Sequence, residues 1–339
     1  MVPRRQLTLF LLLSVLTSAV GAEQPSRVFS FAYKTRIATV AAGEGPVHVF
    51  IPLAVDNDQQ HIINEQIETS ITGQVEVEDN YGNRFWHGSV KVSDGLPIEI
   101  TINTTVERRV SRLQSPEISR PINHHEQATM ARFLGANAKV VVDHAILKPI
   151  LQEVEKIADS NDLAKISRAI YDWVVANVDY KKVGTGWGNG DTFWACSERY
   201  GNCTDFHALF ISLARSENIP ARFEIGFSVP NNRDSGYIAG YHCWVQLYLP
   251  TIGWFPIDAS EAFKHPEKKE YFFGAHPPDR IHFSTGRDLR LGEGHRAKAL
   301  NYFVYPYVEV GGKPFAGKVS RHFSYRNLQS VGRHLAADL

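Results

Sequence analysis

Apolar and polar residues alternate in short runs from Arg27 to about Arg112. The runs "RVFSFAYKTRIATV" and "VHVFIPLAV" are rich in β-branched and aromatic residues; "QIETSITGQVEVED" and "LPIEITINTTVERRV" alternate, and "DNYGN" supplies a turn. A period of two puts successive side chains on opposite faces of a sheet, so residues 25–112 are predicted to form an N-terminal β-sandwich. Residues 113–137, with Pro116, Pro121 and "NHHEQ", read as a polar connector. The period then lengthens. "AILKPILQEVEKIA" and "SNDLAKISRAIYDWVVANVDY" predict helices, the second with Ile166, Ile170, Trp173 and Val174 on one face and Ser160, Asn161 or Asp162 available as cap. Phe206, Leu209, Phe210 and Leu213 predict a third helix from about Cys203 to Ser216. Strand patterns return after Arg222 in "RFEIGFSV", "YHCWVQLYL", "GWFPIDAS", "NYFVYPYVEV" and "KVSRHFSY". The expectation is an α+β domain over residues 138–327, preceded by the β-sandwich.

At 339 residues and 43% hydrophobic, the chain can bury a sizeable core in about two domains. Lysine plus arginine balances aspartate plus glutamate, 36 against 36, so no global field recruits nucleic acid. The N-terminus changes the picture more. Arg4 and Arg5, an apolar run from Leu7 to Leu16, and Val20-Gly21-Ala22 predict a signal peptide over residues 1–22. The apolar run is too short for a bilayer core of ~30 Å, so the mature chain is expected to be exported, periplasmic or secreted, without stable membrane insertion. Its three cysteines are Cys196, Cys203 and Cys243, an odd number. Export permits a Cys196–Cys243 disulfide that would leave Cys203 free; the sequence leaves this open.

One of these cysteines stands where a structural thiol has no reason to be. Cys203 opens a helix, in "RYGNCTDFHALF", after Gly201 and the potential cap Asn202, with Thr204 and Asp205 in the first turn. Unpaired amides and the positive end of the helix dipole there favour thiolate, and the same amides can donate to an oxyanion. His242 opens "HCWVQLYLP" and Asp258 closes "GWFPIDAS". A hairpin folding about Pro250 pairs residues whose numbers sum to 500 and sets His242 opposite Asp258. A one-residue slip would separate them. Trp244 shares the His242 face in this register, whereas Cys243 points the other way and reads as core. Cys203, His242 and Asp258 therefore suit nucleophile, base and orienter.

Other candidate motifs carry less. The glycine-rich "KKVGTGWGNGDTFWACSERYGN" lacks the lysine and hydroxyl residue of a phosphate loop. Asp56 to Asp58 lack the rest of a calcium loop, and the adjacent His124 and His125 lack the spacing of a helical metal pair. No metal and no cofactor are predicted.

In "GNCTDFHALFISLARSENIPARFEIGF", "GYHCWVQLYLPTIGWFPIDASEAFKHP" and "FFGAHPPDRIHFSTGRD" the chain resembles the transglutaminase-like superfamily, relatives of papain-type cysteine enzymes, and its exported bacterial members most of all. The resemblance is specific over about residues 160–290. It implies a core in which the helix carrying the cysteine packs on an antiparallel sheet or barrel, and it assigns the same roles to Cys203, His242 and Asp258. Papain relatives often use an upstream glutamine as oxyanion donor, but no glutamine occurs between Gln152 and Gln246. Asn202, Trp187, Trp194 and Trp244 are the remaining side-chain candidates for oxyanion or substrate contacts. No acidic cluster resembles the calcium sites of animal transglutaminases. A glycosylation sequon, "NCT", falls on the nucleophile itself and favours bacterial export. The resemblance implies acyl transfer or hydrolysis on protein or peptide amides through a thioester, with hydrolysis slightly favoured. The alternative is a catalytically silent domain that binds or scaffolds proteins.

Overall fold

The computed structural model of the chain describes residues 26–113 and 118–328. The expected signal peptide lies outside the described residues. Six strands come first: β1 (Ser26–Ile37), β2 (Val47–Pro52), β3 (Gln60–Thr69), β4 (Gly73–Val77), β5 (Arg84–Val90) and β6 (Ile98–Arg109). The two-residue β7 (Ser111–Arg112) follows. The connector then contains a short helix, α1 (His124–Thr129), closed by a capping box between Asn123 and Glu126. Next come α2 (Lys148–Ala158), α3 (Leu163–Asn177), β8 (Asp179–Tyr180), α4 (Thr192–Glu198), β9 (Tyr200–Gly201) and α5 (Cys203–Ser216). The chain continues through β10 (Ala221–Ser228), β11 (Ser235–Tyr237), β12 (His242–Leu249), β13 (Gly253–Ile257), α6 (Ala259–Lys264), β14 (Ala275–His276) and β15 (Arg280–Thr285). It ends with β16 (Tyr307–Val310), β17 (Lys313–Pro314) and β18 (Val319–Asn327).

Two five-stranded sheets, ordered β11-β18-β1-β6-β3 and β17-β16-β2-β5-β4, present their inner faces to a shared apolar core. A four-stranded antiparallel sheet, β13-β12-β10-β15, carries α5 on one face. α5 is buried almost all round because α3, α4 and α6 also pack on it. Asp162 caps α3 by accepting from the amides of Ala164 and Lys165, and Ile166, Ile170, Trp173 and Val174 are buried as their spacing predicts.

The division at residues 25–112 and 138–327 differs from the observed pairing. β18 lies beside β1, from Phe29↔Asn327 to Ile37↔Val319, and β16 pairs with β2. The C-terminal strands thus complete the N-terminal sheets. An alternating pattern says which face of a strand is buried, but not which strand it pairs with. The sandwich also docks on the four-stranded sheet: the Phe31 ring lies 5.2 Å from Phe227 and 5.6 Å from Phe283. Arg27 of β1, buried, locks this junction by donating to the carbonyls of Val229 and Pro230, to Asp279 and to Asn327.

Gly226 in the middle of β10 marks the closest approach of this sheet. It pairs with His242 on one side and His282 on the other, next to an irregularity in the β10–β15 register. A Cβ there would lie 1.8 Å from the Ile281 carbonyl oxygen, which belongs to the ladder and cannot rotate aside. Gly226→Ala is expected to cost about 1–3 kcal/mol or more and to lower Tm by roughly 4 °C. Thermal denaturation checks this; an unchanged midpoint would mean that the two strands part without penalty.

Candidate active site

Cys203 is the first residue of α5. Its helix begins there because Asn202, in extended conformation, caps it: the Asn202 side-chain oxygen accepts from the Thr204 amide at 2.9 Å. The Asp205 carboxylate returns a bond to the Asn202 amide at 2.9 Å. The same carboxylate accepts from the amides of Gly188 at 2.6 Å and Gly190 at 3.0 Å. The glycine-rich stretch therefore wraps the helix start around one buried side chain. Gly201 must be glycine for this approach, since a Cβ would fall 2.2 Å from an Asp205 oxygen. The amides of Asp205 and Phe206 go to the Asn202 carbonyl. That of Cys203 has no acceptor among the described residues, as expected for the first amide of a helix.

His242 begins β12 and Asp258 follows the end of β13. The β12–β13 register runs from Val245↔Ile257 to Leu249↔Gly253, two residues along from the expected pairing. The turn is centred on Thr251 rather than Pro250, with Gly253 supplying a φ of 84° where the second strand begins. A slip of two preserves the face, so His242 and Asp258 still meet, with Nε2 of the ring 2.7 Å from Oδ2 of the carboxylate. Asp258 is no longer a strand residue there. It caps α6, accepting from the Glu261 amide at 2.9 Å and the Ser260 hydroxyl at 3.0 Å.

With Nε2 on Asp258, the imidazole is also near enough to Cys203 for its charge to lower the thiol. Sulfur, imidazole and carboxylate are all buried: Cys203 is 2%, His242 4% and Asp258 0% exposed. Burial works against charge on every member, yet each is held ionised by the next. Burial raises the Asp258 carboxyl, but the charges of His242 and Arg280 outweigh it and hold it well below the usual range. Burial pulls His242 down, but Asp258 and Cys203 bring it up to about 9. Burial raises the Cys203 thiol, and hydrogen bonds to Cys243 and His242 with the imidazolium charge hold it well below its ordinary value.

Four residues join the site that the sequence pattern did not single out. Arg280 donates to Asp258 Oδ2 at 2.7 Å. His207, four residues after Cys203 on α5, places Nε2 3.5 Å from Asp258 Oδ1. Burial takes its pKa down to about 4, so it is neutral beside the carboxylate. Glu261 Oε1 lies 3.7 Å from His242 Nε2 and pairs with Lys264. Cys243 requires a correction: it is fully buried, as a core residue should be, but it is not apart from the chemistry. It faces α5, where its sulfur lies 3.3 Å from His207 Nδ1, and burial and Cys203 together raise its thiol. All three cysteines are free thiols. The i, i+4 spacing of Cys203 and His207 was the one sequence signal for this second histidine.

The oxyanion and substrate candidates are spread around the site. The indole of Trp187 donates to the Gly184 carbonyl, that of Trp194 to the Tyr200 carbonyl, and that of Trp244 to Glu224. The Asn202 amide nitrogen donates to the Tyr241 hydroxyl at 2.9 Å. The Cys203 amide is the donor at the helix start that is left without an acceptor among the described residues. His242, Asp258 and Glu261 are close enough together to suggest a cation site. Arg280 and Lys264 already neutralise those carboxylates, which disfavours a metal there.

The contrast among the thiols is directly measurable. Burial pushes Cys196 up to about 11 and Cys243 well above its ordinary range. Limiting iodoacetamide near pH 6 is expected to alkylate Cys203 alone, as read by peptide mapping, with reactivity persisting well below the ~8.5 of a free thiol. His242→Ala should move that profile upward; an unmoved profile would uncouple the imidazole from the sulfur.

Comparison with known proteins agrees with this architecture. Residues 151–259, a span that contains Cys203, His242 and Asp258, match the model of the transglutaminase-like superfamily. An uncharacterized protein of Haemophilus influenzae is 23% identical over 337 residues, covering 88% of this chain and 90% of that protein. The uncharacterized protein YebA of Bacillus subtilis is 29% identical over 77 residues, which cover 20% of this chain and 10% of that protein. The crystal structure of a proposed cysteine protease from Cytophaga hutchinsonii superposes with a TM-score of 0.62 at 18% identity, covering 90% of this chain and 91% of that one. That likeness is one of fold. The segment 151–259, which carries the Cys203 helix, the strand that His242 opens and Asp258, is similar to the transglutaminase-like superfamily.

Proposed function

We propose that the protein is a cysteine acyltransferase or hydrolase acting on protein or peptide amides, with Cys203 as nucleophile, His242 as acid and base, and Asp258 as orienter. The observation that carries the reading is the buried His242–Asp258 pair at 2.7 Å, whose imidazolium charge lowers the Cys203 thiol at the start of α5, because in that ionised form sulfur is already a nucleophile. Cys203 thiolate attacks the amide carbon, and the resulting oxyanion accepts from the Cys203 backbone amide. Collapse breaks the C–N bond; the departing amine takes the proton from His242, leaving a thioester and a neutral imidazole. Water, or an amine, then adds to the thioester carbon while His242 takes its proton. Collapse releases acid or new amide and restores the thiolate–imidazolium pair. Asp258 remains ionised throughout and fixes the ring by holding Nε2.

No helix among the described residues is long and apolar enough to cross a membrane. With the basic and apolar N-terminus, this supports action on exported or periplasmic proteins.

The test is mass spectrometry of the purified protein with a peptide library and a primary amine. New termini mean hydrolysis; amine incorporation with released ammonia means cross-linking. Silence, together with an unreactive Cys203, would favour the scaffold alternative. Cys203→Ala should abolish turnover, and Asp258→Asn should lower kcat by about 10²–10⁴. His242 is protonated below about 9, and the protonated form donates to the leaving amine. kcat/KM should therefore fall as pH rises through about 9; a rate still rising there would exclude His242 as the acid.

A further inference from the structure

Cys243 and His207 are side chains of reactive type that the acyl-transfer steps leave unused, and they touch each other. The Cys243 sulfur lies 3.3 Å from His207 Nδ1, and His207 Nε2 lies 3.5 Å from Asp258 Oδ1. Thiol, imidazole and carboxylate thus repeat the order of Cys203, His242 and Asp258, and the two sets share the carboxylate. Cys243 is fully buried, so substrate does not reach it. Its neighbours on the same face of β12, Val245 and Leu247, are apolar core. An imidazole buried among such groups costs stability unless its nitrogens are answered, and here one of them is answered by sulfur.

The carboxylate decides which nitrogen of His207 carries the proton. Burial keeps the ring neutral by taking its pKa down to about 4. Nε2, facing Asp258, holds the proton, so Nδ1 turns a lone pair towards the Cys243 thiol. Cys203 is close by. It stands four residues before His207 on α5, a spacing that sets Cβ atoms ~5–6 Å apart on one face. Helical side chains lean towards the N-terminus, so the His207 ring, with Cys243 against it, lies over the turn that Cys203 opens. The two elements also close on one point: His242, next to Cys243 on β12, and His207, one turn after Cys203, face the two oxygens of Asp258. A disulfide needs Cα atoms ~4–7 Å apart, which only elements in direct contact reach, and α5 packs on β12. The ionisations agree. After burial, Cys243 does most to lower the Cys203 thiol, and Cys203 does most to raise that of Cys243.

We propose that Cys243 is the resolving thiol of Cys203: mild oxidation closes a reversible Cys203–Cys243 disulfide that shuts the site and protects the nucleophile from irreversible oxidation. The proposal rests on the reading of Cys203 as a reactive thiolate. With hydrogen peroxide as oxidant, the Cys203 sulfur bonds to one peroxide oxygen and the O–O bond breaks. The departing hydroxide takes the His242 proton and leaves as water, and Cys203 becomes a sulfenic acid. The Cys243 sulfur then attacks the Cys203 sulfur and the S–O bond breaks. The Cys243 proton is taken up at His207 Nδ1 and released to the leaving hydroxyl, which departs as a second water. A ring that burial holds neutral passes such a proton on rather than keeping it. Two sulfurs are oxidised by one peroxide, and a dithiol reverses the bond by exchange. Cys196, on α4, takes no part.

The test treats the full chain with stoichiometric hydrogen peroxide and maps it by mass spectrometry without reduction. The expected product joins the Cys203 and Cys243 peptides and leaves Cys196 free. Iodoacetamide labelling of Cys203 should fall at least tenfold and return with dithiothreitol. Cys243→Ser keeps a small donor beside His207 but cannot close the bond. Its Cys203 should therefore pass to sulfinic acid, which dithiothreitol does not restore. Three results overturn the proposal: no oxidation at either sulfur, sulfinic acid on Cys203 of the unsubstituted protein while Cys243 stays free, or a Cys243→Ser protein that recovers as fully as its parent. The map of the unsubstituted protein decides the matter even where the variant fails to fold, and it needs no turnover. If the link forms and no peptide is cleaved or cross-linked, the acyl-transfer reading fails alone. If peptides are turned over and peroxide leaves the two sulfurs unlinked, that reading stands and Cys243 is core.

Discussion

A fully buried carboxylate is tolerated only where its charge is answered, and the answer to Asp258 organises the centre of this protein. His242 comes from β12, Arg280 from β15 and the Glu261 amide from α6, while the neutral His207 of α5 lies 3.5 Å away. One charge thus sets the sheet and α6 relative to each other. It also sets the ionisation of the site. Because Asp258 stays negative, His242 is kept protonated; because His242 is positive, Cys203 is kept as thiolate. Removing the carboxylate alone would leave Arg280 and the imidazolium as uncompensated buried cations, so position and reactivity have a common origin here.

A second constraint acts at the other end of the reactive group. Asp205 gathers three amides, from Asn202, Gly188 and Gly190, and closes the glycine-rich stretch over the start of α5. Arg287 secures the same stretch by donating to the Gly190 carbonyl. The sulfur is consequently held between a capped helix start and an imidazole, with little rotational freedom and little exposure.

The β-sandwich is part of this arrangement rather than an appendage. Arg27 of β1 grips the carbonyls of Val229 and Pro230 and the carboxylate of Asp279, which line a cleft that also takes in Glu261, 3.7 Å from the imidazole. β18 returns from the C-terminus to lie against β1. Folding of the sandwich and shaping of the cleft are therefore coupled, and neither end of the chain can be assigned to one unit alone.

Local chemistry was legible in the amino-acid order. Residue types with a period of 3.6 marked α3 and α5, Asn202 stood out as a potential cap and Asp162 as one of three for α3, because all of these depend on neighbours within a turn. The meeting of His242 with Asp258 survived an error in the turn, since a register shift of two keeps side chains on the same face. What the sequence could not specify were relations between distant segments. The partners of β1 and β2, the approach of Cys243 and His207 to the sulfur, and the convergence of Arg280 on Asp258 all arise from packing. Such contacts depend on where whole elements come to rest, which tertiary structure alone decides; periodicity records only which side of each element is apolar.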